Sequence, residues 1–141
     1  MAYIPLRFRQ VVRERANEQC EYCQAQELIG ILLVVDHIKP LSYGGETDIE
    51  NLCLACFHCN SYKSDFRIGI DMETRLESRL FNPRLDRRAE HFLWVAAGLE
   101  LTGLTSIGRA TISGLRMNRP AIVTARRAWI KAGMHPPRDT A

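Results

Sequence analysis

Asp36 and His37 stand side by side at the end of an apolar run, and Asn51 and Asn60 follow in the next stretch of chain. Hydrolysis of a phosphodiester needs an activated water, charge neutralisation on the phosphate and stabilisation of the leaving oxygen. An imidazole can take a proton from water at physiological pH. A hard divalent cation can meet the other two needs, provided it finds oxygen ligands and keeps positions open. The side-chain oxygens of Asp36 and Asn60 offer two such ligands. Neighbouring side chains on a strand point to opposite faces, so a division of labour is expected in which one residue holds metal and the other polarises water.

Cysteine pairs bracket these residues. Cys20-x2-Cys23 precedes them and Cys56-x2-Cys59 lies in their last part. Two thiolates from one tight turn can reach a single ion, and two such turns complete a tetrahedral zinc shell. Cys53-x2-Cys56 is also a formal pair, but Cys53 sits between Leu52 and Leu54, where a cysteine behaves as a small buried hydrophobe. Cys20, Cys23, Cys56 and Cys59 are therefore the expected ligands, with His58 as the alternative to one thiolate. The fifth cysteine leaves an odd number, which argues against a disulfide framework. The N-terminus lacks the apolar core of a secretory signal, and no run is apolar for long enough to span a bilayer; Leu28 to Val35 is the best. A cytoplasmic protein without a membrane partner is the expectation.

The elements that must position these residues are short. Pro5 can open a helix that continues to about Gln19. Cys20 to Cys23 forms a turn. Leu32 to Val35 reads as a strand ending at Asp36-His37, where Pro40 stops it. Ser42 to Asp48, with two glycines, is a loop. Asn51 to Ala55 is a second strand, and Phe57 to about Asp65 a helix. Two strands, a glycine-rich loop and a helix make a ββα unit, too small to bury a sufficient core without a staple such as zinc. Farther on, Met72 to Leu80 has a helical pattern with Arg75 and Arg79 one turn apart. His91 to Val95, then Gly98, then Leu99 to Leu101 suggest a β-hairpin, with a helix end as the alternative. A helix capped by Thr105 or Ser106 runs to Met117, and Asn118-Arg119-Pro120 starts another, with Gly133 as its C′ residue. Met134 to Ala141 reads as a tail.

These motifs resemble, in order and spacing, those of the HNH endonucleases. Asp36-His37 matches the first motif of that family, Asn51 the middle asparagine and Asn60 the last position. The glycine pair Gly44-Gly45 and the lysine after the final motif, Lys63, match as well. The resemblance covers roughly residues 20 to 65 and implies an α+β fold with a ββα-metal (His-Me finger) core stapled by four cysteines. It implies that His37 is the general base, that Asp36 and Asn60 hold the catalytic cation, and that Asn51 fixes a loop supporting His37. The final family histidine is Asn60 here, an H-N-N variant. An Asp/Asn pair favours magnesium or manganese over softer ions. Gly108-Arg109-Ala110-Thr111 and Asn118-Arg119-Pro120 are similar to the tails of small stand-alone bacterial members, without an assigned role.

The balance of hydrophobic to charged residues is that of an ordinary globular protein. A core over residues 1–66 and a basic, mainly helical extension over 67–141 are expected. A net charge of +3 does not by itself announce a nucleic-acid partner. Its distribution says more. Residues 1–64 carry six Lys/Arg against eight Asp/Glu, whereas 65–141 carry thirteen against eight. Lys63, Arg67, Arg75 and Arg79 are the candidate contacts to a DNA backbone. The rival expectations are a zinc-stabilised nucleic-acid-binding module without catalysis, and an interaction adaptor. Oligomeric state is not legible.

Overall fold

The computed structural model describes residues 3–27 and 31–137. The expectations for Leu28 to Gly30 and for the last four residues of the tail lie outside them. The described chain divides into two compact units. One runs to Arg67 and includes Asn82–Asp86; the other takes Ile68–Phe81 and the chain from Arg87 onward. No helix among the described residues is long and apolar enough to cross a membrane.

In the first unit, helix α1 (Leu6–Arg15) begins after Pro5, whose ring already sets the φ of a helix start. It ends sooner than the expected Gln19. Asn17 and Glu18 both adopt positive φ, which turns the chain out of the helix. Strand β1 (Leu33–His37) pairs antiparallel with β2 (Leu52–Cys56), in a register that sets Asp36 opposite Cys53 and His37 opposite Leu52. All five β2 residues are buried, which explains their unbroken apolar run. Helix α1 packs on β2, and helix α2 (Phe57–Lys63) follows β2 directly and packs on both strands. The ββα unit is thus present. Its connecting loop holds two 3-10 turns, Leu41–Tyr43 and Ile49–Asn51.

The second unit contains two hairpins and two longer helices. Strand β3 (Ile68–Ile70) pairs with β4 (Glu77–Arg79). A four-residue helix, α3 (Arg88–His91), leads into β5 (Phe92–Val95), which pairs with β6 (Glu100–Gly103) across the turn Ala96–Gly98, the hairpin expected from the sequence. Helix α4 (Ser106–Gly114) is capped by the Thr105 hydroxyl, which accepts the Gly108 N–H at 3.1 Å. It packs on β3, β4 and β6. Helix α5 (Pro120–Lys131) closes the unit, with Gly133 at positive φ beyond its end.

The helix expected over Met72 to Leu80 is absent. Arg75 takes a positive φ, which no helix interior accommodates, and the Asp71 N–H donates to the Leu76 carbonyl to close the β3–β4 hairpin. Asp71 is fully buried, and the Arg109 fork grips it with Nε–Oδ1 at 2.9 Å and Nη2–Oδ2 at 3.0 Å. That guanidinium holds the Asp71 carboxyl well below the usual carboxylate range.

Gly108-Arg109-Ala110-Thr111 and Asn118-Arg119-Pro120 serve the packing of the second unit. A Cβ at Gly108 would overlap the His91 carbonyl, so glycine alone permits that approach. The Thr111 hydroxyl accepts the Phe81 N–H at 2.8 Å. Asn118 bonds both backbone groups of Leu101, at 2.8 and 2.7 Å. Met134 to Pro137 is not a loose tail. His135 is buried, its Nε2 donates to the Gly98 carbonyl at 2.9 Å, and its ring packs edge-on against Trp94 and Trp129.

Candidate active site and metal centre

Cys20, Cys23, Cys56 and Cys59 come together as the sequence suggests. All four are buried, and their sulfurs lie within 4.8 Å of one another. Cys23 Sγ and Cys56 Sγ are 3.7 Å apart. A tetrahedral zinc with bonds of about 2.3 Å places its sulfurs about 3.8 Å apart, so the donor set fits that ion. Each C-x2-C turn is closed by its own amide. The Cys23 N–H points at Cys20 Sγ (3.4 Å) and the Cys59 N–H at Cys56 Sγ (3.3 Å), the latter also capping α2. Hydrogen bonding with Cys20, then with Cys23 and Cys56, pushes the Cys59 thiol up. Cys53 stays apart. It faces the Tyr22 hydroxyl at 3.7 Å inside β2, and burial pushes its thiol up. His58 is exposed on α2, stacked beside Tyr62, and is not in the cluster.

Asp36, His37 and Asn60 border one cleft of about 620 Å³. Strand β1 has β2 on one edge, and its residues from Leu33 to His37 all line the cleft. Asp36 and His37 differ in their partners, Lys63 for the one and Thr47 for the other. The His37 ring is held by Thr47, with Nε2 2.9 Å from Oγ1. In the tautomer that donates from Nε2, the lone pair of Nδ1 is left for a proton.

Asn51 acts on the loop. Its Oδ1 accepts the Lys39 N–H at 2.8 Å, and its Nδ2 donates to the carbonyls of Lys39 (3.1 Å) and Glu46 (2.8 Å). These bonds tie together both ends of the turn that carries Gly44-Gly45. A Cβ at Gly45 would overlap the Lys39 carbonyl, which accounts for the second glycine. Thr47 follows that turn, so Asn51 and Gly45 set the position from which Thr47 reaches His37.

Asp36 Oδ2 is buried and accepts no hydrogen bond, and its cationic partner in the fold is Lys63. Burial pushes the Asp36 carboxyl up, against a smaller opposing pull from Lys63. Lys63, expected to reach a phosphate, does not. Its side chain is 3% exposed, with Nζ 3.7 Å from Asp36 Oδ2 and 3.5 Å from the His37 carbonyl. A lysine one turn beyond Asn60 on α2 projects inward against β1, and the paired Asp36 makes that burial tolerable. Arg67 is exposed, its guanidinium 4.4 Å over the Tyr43 ring. Arg75 and Arg79 belong to the β3–β4 hairpin of the second unit and do not share a helix face.

Thr47, Arg9, Arg13 and Asp65 are residues of the site that the sequence does not single out. Thr47 lies in a polar loop without periodicity. Arg9 and Arg13 sit on α1, far ahead of the motifs, yet both line the cleft, as does Asp65 after α2.

Residues 20–66 match the family model described as HNH endonuclease, which spans both cysteine pairs, the loop and α2. Neither a curated protein nor a solved structure was found to match the chain.

Proposed function

We propose that this chain, whose residues 20–66 match the HNH endonuclease family, is a zinc-stapled, metal-dependent endonuclease that hydrolyses DNA. The observation that carries the reading is the shared cleft. Asp36, His37 and Asn60 border it together, and the His37 ring is oriented by Thr47. Mere binding of nucleic acid requires none of the three. Nδ1 of His37 would take the proton from the attacking water, and the imidazolium formed keeps its Nε2–H bond to Thr47. Asp36 and Asn60 would hold a magnesium or manganese ion, whose charge offsets that building on the phosphate and on the 3′ leaving oxygen. Lys63, with Nζ 3.7 Å from Asp36 Oδ2, would steady that carboxylate. The products would carry 5′-phosphate and 3′-hydroxyl ends. Zinc in the four-cysteine site would be structural, since its tetrahedral shell is closed.

Incubation of supercoiled plasmid with the zinc-loaded chain tests the reading. Nicking that requires added magnesium or manganese is expected. A salt-sensitive mobility shift without any strand scission would instead select the non-catalytic binding module.

A further inference from the structure

Resting on the nuclease reading above, we propose that Arg9 of α1 is a phosphate clamp on the wall of the catalytic cleft. Four arginines lie on α1, and the structure separates them. Arg13 is spent on its own unit, with Nη1 on Glu18 (3.1 Å) and Glu27 (2.7 Å) and Nη2 on the Leu33 carbonyl (3.3 Å). Arg15 donates to the carbonyls of Ile49 and Leu52, both at 2.9 Å. Arg7 lies over the Phe8 ring at 5.0 Å and does not border the cleft. Arg9 borders it and is exposed, and among the described residues it commits only Nε, which donates to the Ile4 carbonyl at 3.1 Å. Ile4 is itself buried and lines the same cleft. The bond fixes the plane of the guanidinium and leaves both terminal nitrogens as a fork. That is the geometry that captures two phosphate oxygens at once, with part of the ordering cost already met by the fold.

The charge balance of the cleft points the same way. Asp36 and Asp65 line it and repel a phosphate, and Lys63 is buried against Asp36, away from solvent. Among the charged residues of this cleft, Arg9 is the cation left to meet a strand before any metal ion does.

The test uses the full, zinc-loaded chain in a His37→Ala background without added divalent cation, so that binding is read without cleavage. Anisotropy of a labelled duplex is followed across a salt series. Arg9→Gln is expected to make the slope of log Kobs against log salt shallower by about 0.9, one phosphate contact, while Arg7→Gln leaves it unchanged. Arg9→Lys is expected to keep the slope yet bind several-fold more weakly, because an ammonium lacks the fork. An unchanged slope in Arg9→Gln, an equal loss in Arg7→Gln, or full affinity in Arg9→Lys overturns the clamp alone. A His37→Ala parent that binds no duplex overturns the nuclease reading and the clamp with it.

Discussion

His37 depends on a hydroxyl for its orientation, so the chemistry can be weakened without touching the imidazole. Replacing Thr47 by valine removes the partner of Nε2 and lets the ring and its tautomer drift. We expect kcat for nicking to fall about tenfold with KM little changed, a part of the roughly 10²–10⁴-fold that a positioned base supplies. Thr47→Ser should restore it; a valine variant of full activity would show that the ring is held by other means. Asp36 and Lys63 form the second residue-scale device. Lys63→Met strands a half-buried carboxylate and should destabilise the metal-free chain at pH 7 by about 1–3 kcal/mol. Burial already raises the Asp36 carboxyl, and loss of Lys63 raises it further. A raised carboxyl stabilises the folded chain fully below the unfolded value of about 4, and that contribution is lost as pH rises through the folded one. The deficit of Lys63→Met should therefore be small near pH 4 and grow toward pH 7 in denaturant melts. A deficit independent of pH would place the role of Lys63 in packing instead.

At the scale of elements, β2 and α2 share out three cysteines by geometry. Cys53 points to Tyr22 from within the strand, while Cys56 and Cys59 turn to the sulfur cluster at the strand–helix junction. Native mass spectrometry should find one zinc per chain, retained in Cys53→Ser and lost in Cys59→Ser; the reverse pattern would assign the ion to the other C-x2-C pair. The order strand, loop, strand, helix could be read from the sequence because each piece is set by local signals: an apolar run, a glycine pair, a C-x2-C turn. Helix α5 was legible for the same reason, whereas the β5–β6 segment could be read as a hairpin or as a helix end. The segment from Met72 to Leu80 was not. Its arginine spacing suits a helix, but its conformation is fixed by Asp71 and its grip on Arg109, a contact between residues far apart in the chain. Lys63 misleads in the same manner. A lysine on a short helix ordinarily reads as solvated, and only the packing of α2 on β1 turns it toward Asp36.

For the whole molecule, charge counted along the sequence and charge arranged in space tell different stories. The second half is the basic one, yet the cleft lies in the unit built mainly from the more acidic half, and its arginines come from the N-terminal helix. Formal balance over a segment says nothing of which cations are already paired. Among the α1 arginines that line the cleft, hydrogen-bond partners and exposure distinguish Arg9 from Arg13. The sequence placed Asp36, His37 and Asn60 in one motif, and the fold brings them to one cleft in the same unit as a sulfur cluster fit for zinc. The most direct measurement is strand scission by His37→Ala with magnesium or manganese present. Nicking should disappear while zinc content and melting temperature match the parent. Cleavage at the parental rate by that variant would contradict the general-base role of His37.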